Sequence, residues 1–223
     1  GTERVDNYQS TVTCHPSEVV HASEVAEAQA VVRRAFTEGR PLKVVSLAAS
    51  NSNSGFICPE HGGLLLNLGQ MNRVLSLDEE AGIVTVQPGI RASELSRYLD
   101  ERGFAIPTMP DYTGVSIAGG VATAAHHSSL RIPASMADMV EALTLIDGRG
   151  ELRRFEGDEV APVAANIGML GVVVELSIRV EPQFKLQYGF EKGRDEGLED
   201  KIEALVRAHD YARVMWFAGN ERY

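Results

Sequence analysis

Apolar positions along the chain fall into two periods. Between Ser23 and Gly39, Val25, Ala28, Val32, Ala35 and Phe36 recur at helical spacing. Ser23 stands as an N-cap with Glu24 and Glu27 in the first turn, and Gly39 as the stop. A second amphipathic helix runs from Ala92 to Arg102, with Leu95, Tyr98 and Leu99 inward and Gly103 ending it. A third carries Leu198, Ile202, Leu205 and Val206 and ends near His209. Short apolar or alternating runs predict strands at 10–14, 18–21, 42–47, 64–68, 73–77 and 83–87. Residues 139–146 and 151–155 flank Asp147-Gly148-Arg149-Gly150, a hairpin signal. A short helix over 160–166 is interrupted by Pro162. Val172, Val174, Leu176, Ile178 and Val180 alternate with Glu175, Ser177 and Arg179, predicting a half-buried strand that 184–190 can pair with. Residues 212–217 open one more strand. Many strands are unseparated by helices, and no GxGxxG follows a strand. The class is therefore α+β rather than a regular Rossmann alternation.

The stretch PTMPDYTGVSIAGGVATAAHHSS, residues 107–129, breaks both periods. It has no Lys or Arg, a single acid, Asp111, and a run of small residues. Small side chains allow either close packing of a turn on a sheet or close backbone approach to an anionic ligand. The polar run SNSNSGF, 50–56, directly after the 42–47 strand, is likewise either a solvent loop or a second phosphate cradle. Gly168 and Gly171 sit just before the long strand, a third place where backbone can come close.

Composition narrows the chemistry. The 223 residues are 44% hydrophobic and 23% charged, enough for a core without disulfide staples. A net charge of -10, with no basic run longer than Arg33-Arg34 or Arg153-Arg154, excludes a nucleic-acid surface. No apolar run of membrane-spanning length is present. Cys14 and Cys58 have no metal spacing, so no metal site is expected. Two free thiols are expected of them, a Cys14–Cys58 disulfide being the alternative. No signal peptide is visible, and the chain starts Gly1-Thr2 without Met, as a processed or trimmed N-terminus would. The compartment stays open.

Five segments in order carry a resemblance. They are the strand and loop at 44–53, LNLGQMNRVLSLDEEAGIVTVQPGI at 66–90, SELSRYLDERGFAIPTM at 93–109, SIAGGVATAAHHSS at 116–129 and NIGMLGVVVELSIRVEP at 166–182. Together the chain resembles the FAD-binding (PCMH-type) domain of the vanillyl-alcohol oxidase superfamily, nearest its aldonolactone and alditol oxidase branch. The resemblance implies two α+β subdomains with FAD extended between them, as the N-terminal part of a larger flavoenzyme. Residues 1–190 would be the FAD-binding domain and 191–223 the start of a substrate-binding cap, with Trp216 and Phe217 on its first strand.

By the same resemblance, Val44, Val45, Ser46, Leu47, Ala48, Ala49 and Ser50 would meet the FAD pyrophosphate. Asp111, Ser116, Gly119, Gly120, Thr123 and His126 would contact the cofactor from the central stretch. Val173 would offer backbone groups to its adenine end. The family's loop ends in a His that often carries the flavin covalently. Ala49 stands there in this chain, which implies FAD held non-covalently. His127 replaces a family glycine. The catalytic acid and base groups would lie in the C-terminal remainder of the same protein. The implied activity is oxidation of a hydroxyl of a sugar-like polyol or aldonolactone, a small-molecule substrate. Two alternatives are a flavin-binding module of this fold without turnover, and a flavoprotein like the reductase of an enolpyruvyl sugar nucleotide, whose Gly-Ser-Asn is partly echoed by Ala49-Ser50-Asn51.

Overall fold

The computed structural model describes residues 4–46, 54–60, 62–129, 133–217 and 219. In chain order its elements are β1 (Val5–Asp6), β2 (Thr13–Cys14), β3 (Glu18–His21), α1 (Val25–Glu38), β4 (Leu42–Val45), β5 (Leu64–Asn67), β6 (Val74–Asp78), β7 (Ile83–Val86), α2 (Ala92–Asp100), β8 (Phe104–Ala105), α3 (Ile117–Ala122), β9 (Val140–Ile146), β10 (Leu152–Glu156), α4 (Ala161–Ala164), β11 (Val172–Arg179), β12 (Glu181–Pro182) and α5 (Leu198–Ala208). Among the described residues no helix is long and apolar enough to cross a membrane.

Two sheets of opposite character face each other across α1. The first is parallel, three-stranded and ordered β3-β5-β4. Parallel strands need a crossover, and α1 provides it between β3 and β4, which flank β5 on either side. The second sheet is antiparallel and ordered β10-β9-β11-β7-β6. Ala28, Val31 and Val32 of α1 are buried against Leu66 and Leu68 on one side and Ile146, Val172 and Val174 on the other. The far face of the antiparallel sheet carries the larger core, in which Leu95 and Leu99 of α2 and Ile117 and Val121 of α3 meet Val84, Val86, Leu143 and Leu176. A third, smaller core on the far face of the parallel sheet joins Leu65, Val45, Ile57 and Cys14.

Local chemistry explains most element boundaries, with corrections. The N-cap of α1 is Glu24, not Ser23. Ser23 instead donates through its N–H and hydroxyl to the Glu27 carboxylate, at 2.8 and 2.9 Å. Those bonds hold the Glu27 carboxyl below its usual range. Gly39 closes α1 in the left-handed conformation, φ 63°. Phe36, expected inward, is exposed, and Val31 is buried in the core instead. Pro162 lies in the first turn of α4, where its missing N–H costs nothing, so it starts the helix rather than interrupting it.

Three further expectations fail. β11 is not half-buried: Val172, Val173, Val174, Leu176, Ser177 and Ile178 are all buried, because cores lie on both of its faces. Its register with β9 shifts between Val173 and Glu175, a bulge that turns the strand over. Residues 184–190 do not pair with it. The pairing beyond β11 is made by β12 with β8, and Phe184, Leu186, Tyr188 and Phe190 are exposed. Residues 212–216 form no strand. α5 buries none of its side chains.

Cys14 and Cys58 form a disulfide, not two free thiols. The chain brings them together because β2 and the turn Gly55–Ile57 cover the same face of the parallel sheet. The bond spans 44 residues and closes a loop containing β3, α1 and β4. Closing a loop of that length restricts the unfolded chain and contributes about 2–4 kcal/mol. Cys58→Ser is therefore expected to lower the free energy of unfolding measured in urea by that amount, and the midpoint with it. Reductant should lower the midpoint of the unmodified protein equally and leave the variant unmoved.

Candidate cofactor site

A cavity of about 390 Å³ opens between the two halves. From the first half it is walled by Val44, Val45 and Ser46 at the end of β4, and by Phe56 and Ile57. From the second half it is walled by α3, by the loop Asn166–Gly171 and by Val173 of β11. β4 is one of the two edge strands of its sheet. The carbonyls of Pro41 and Val45 accept from Leu64 and Leu68 at 2.8 Å, so the odd-numbered residues bond to β5. In a strand the direction alternates, so the N–H and C=O of Val44 and Ser46 point to the free edge. Among the described residues no strand pairs with that edge, which leaves a row of backbone donors and acceptors open to a ligand.

α3 works differently from the expected anion-binding helix start. Its N–H groups are already taken: Ile117 donates to the Ile90 carbonyl at 2.8 Å, Ala118 to Pro88 at 3.2 Å, and Gly119 to the Ser116 hydroxyl at 3.1 Å. What α3 offers the cavity is low relief, from Ala118, Gly119 and Ala122, with the Thr123 hydroxyl at its end donating to the Gly119 carbonyl at 2.8 Å. The two glycines have distinct jobs. A Cβ on Gly120 would lie 2.5 Å from the Met136 sulfur in the core, whereas one on Gly119 would meet only the Ser116 hydroxyl, at 2.8 Å. Gly120 is thus a packing glycine that also touches the cavity.

Of the sequence-predicted residues, Val44, Val45, Ser46, Ser116, Gly119, Gly120, Thr123 and Val173 converge on this one cavity. Val173 sits at the bulge of β11, where Val174 opposes no residue on β9 and the ladder is interrupted. Two predicted residues lie elsewhere. Asp111 is on the surface, ion-paired with Arg213. His126 is exposed, bridged to Ser135, with its ring nitrogen near the His127 carbonyl. Leu47, Ala48, Ala49 and Ser50 lie outside the described residues. His127 packs edge-on against Tyr211, ring centroids 4.9 Å apart.

Sequence reading did not name Phe56, Tyr112, Asn166 or Ile167 individually as wall residues, although each lies in a segment it singled out. For the second loop the signals were the glycines at 168 and 171 and the resembling segment at 166–182. Gly171 is needed for a backbone reason: at φ 153°, its Cβ would lie 2.4 Å from the Ile146 carbonyl oxygen, so β11 starts beside β9 only without one.

The cavity suits part of a dinucleotide rather than a metal. Its volume lies in the range of small-molecule sites, and among the described residues Lys43 is the only charged one on its wall. Among the described residues no group of three or more His, Cys, Asp or Glu side chains could hold a metal ion. The chain's relatives agree. Residues 16–156 match the family described as FAD binding domain. This chain belongs to that FAD-binding family. Its cofactor is FAD. L-gulonolactone oxidase of Mus musculus is 28% identical over 220 residues, covering 96% of this chain and 49% of the relative. D-arabinono-1,4-lactone oxidase of Eremothecium gossypii is 32% identical over 199 residues, covering 86% and 36%. The chain spans about half the length of the mouse relative. An alkyldihydroxyacetonephosphate synthase structure superposes with a TM-score of 0.66 over 74% of this chain and 31% of its own, at 20% identity, which supports the fold alone.

The two glycines of α3 should separate in experiment. Gly120→Val is expected to lose stability through its clash with Met136, by about 1–3 kcal/mol. Gly119→Val, pointing at the cavity rim, is expected to weaken FAD binding at least as strongly while costing less stability. Chemical denaturation and flavin titration of both variants check this. Equal effects on both measurements would contradict the assignment.

Proposed function

We propose that this chain is the FAD-binding part of an oxidoreductase that oxidises a hydroxyl of an aldonolactone or similar sugar-like polyol. The observation that carries the reading is the cavity itself, walled by the same segments that the resemblance assigned to the cofactor, in a chain whose relatives are named lactone oxidases. FAD, when bound, supplies the hydride-accepting ring. The chain's own residues bind and orient it. The free edge of β4 offers backbone groups to the phosphates or ribityl chain. α3 gives a flat, uncharged surface for close approach. Phe56, Ile57 and Val173 exclude water. Ser116 and Thr123 hold the helix ends and keep that surface in place.

The rest of the machinery is assigned to a longer chain. Residues 1–190 form the FAD-binding domain in this reading, and 191–223 begin a substrate domain whose groups complete the active site. The exposed apolar residues Phe184, Leu186, Tyr188, Phe190, Met215 and Trp216 support it, since isolated apolar side chains are common on surfaces but a run of this size calls for cover. We also propose that the flavin is not covalently bound. Ala49 offers no nucleophile, and its neighbours Ser50 to Asn53 carry only hydroxyls and amides. Cys58, the nearest thiol in sequence, is engaged in the disulfide.

The test uses the full-length protein purified with its chromophore. Anaerobic addition of an aldonolactone should bleach the visible flavin band, whereas absence of bleaching with a panel of lactones and polyols would refute the substrate class. After acid denaturation and filtration, the yellow colour should pass with the small molecules. Flavin fluorescence that stays on the protein band of a denaturing gel would overturn the non-covalent assignment.

A further inference from the structure

The loop that closes the cavity from the second half holds a residue in a costly conformation. Ile167 has φ 53°, the left-handed region, where a β-branched side chain crowds its own backbone. Glycine would sit there without strain, and the next residue, Gly168, does so at φ 73°. The Ile167 side chain belongs to none of the three cores and is 44% exposed, so stability of the fold does not require it. It lines the cavity. Met169 and Leu170, also exposed in this loop, do not.

The strain persists because neighbouring bonds fix the backbone on both sides. Asn166 is 8% exposed, and both polar atoms of its carboxamide are bonded within the loop: the nitrogen donates to the Val163 carbonyl at 2.9 Å and the oxygen accepts from the Gly168 N–H at 2.6 Å. The Ile167 N–H donates to the Ala122 carbonyl at 3.1 Å, tying the loop to the end of α3. The Met169 N–H donates to the Asn166 carbonyl at 2.9 Å. On the far side Gly168 faces β4, where a Cβ would be in ordinary van der Waals contact, 3.7 Å, with a Val44 methyl. The loop therefore spans from α3 to β4, with Ile167 between.

We infer that Ile167 is a cofactor-contacting residue, held as a fixed wall of the FAD cavity, and that Asn166 is the positioning residue that holds it there. The inference rests on the FAD reading of the cavity. A wall set before the ligand arrives spares binding the cost of ordering it.

The experiment measures FAD affinity by isothermal titration and the thermal midpoint of the flavin-free protein, both on the full-length chain. Ile167→Gly should keep or raise the midpoint, by up to about 2–4 °C as the strain is relieved, while weakening FAD about tenfold. Ile167→Val, which keeps the branched shape, should bind within about twofold of the unmodified protein. Asn166→Ala should weaken FAD and lower the midpoint. The double variant should recover midpoint without recovering affinity. Met169→Ala, in the same loop but off the cavity, should change neither. Unchanged FAD affinity in Ile167→Gly overturns the inference alone. So does a loss of affinity accompanied by a lowered midpoint in that variant, since the side chain would then be structural. Failure of the unmodified protein to bind FAD overturns the flavin reading and this inference with it.

Discussion

One strand has to serve two cores. β11 lies in the middle of the antiparallel sheet with α1 on one face and α2 and α3 on the other. A regular strand sends alternate side chains to opposite faces. β11 gives Val172 and Val174 to the core around α1, then Leu176 and Ile178 to the core around α2 and α3. All four are even-numbered, so the strand must turn over between Val174 and Leu176. The bulge between Val173 and Glu175 does this. Without it, either α1 loses its second wall or α2 and α3 lose their floor, and the two halves no longer share a strand.

The cavity follows from the same arrangement. Because β11 and Ile146 of β9 reach across to pack on α1, the parallel sheet is held beside the antiparallel one with β4 as its outer strand. The gap between that free edge and α3 is closed at one end by the loop before β11. Gly171 lets the loop leave β9 closely, and the Asn166 bonds fix its course. The disulfide braces the opposite wall, joining β2 to the end of the turn that carries Phe56 and Ile57. The site is thus lined mostly by backbone and small or apolar side chains. That suits a large cofactor which brings its own reactivity.

The central stretch teaches a narrower lesson. Its small residues invite the reading of a phosphate cradle, yet the first N–H groups of α3 are spent on Pro88, Ile90 and Ser116. Flatness, not donor capacity, is what the sequence encodes there. In the proposed reading donors come instead from the edge of β4, a strand that in sequence looks like any other apolar run.

Helices α1 and α2, the hairpin β9–β10 and the strands β3 to β7 were legible in the sequence, because each depends on neighbours in the chain: a 3.6-residue period, a stop glycine, or a turn in which Asp147 accepts from Arg149 and Glu151. The convergence of Val44, Ser116, Gly119 and Val173 was legible only through the order of segments in a known family. Three things were decided by tertiary structure alone. β11 is buried on both faces because a second layer covers what its alternating charges suggest is solvent-facing. Cys14 and Cys58 are bonded because two segments remote in sequence cover one sheet face. Asn166 and Ile167 are wall residues because a loop spans from α3 to β4. In each case the controlling force is contact between residues distant in the chain, for which local spacing carries no signal.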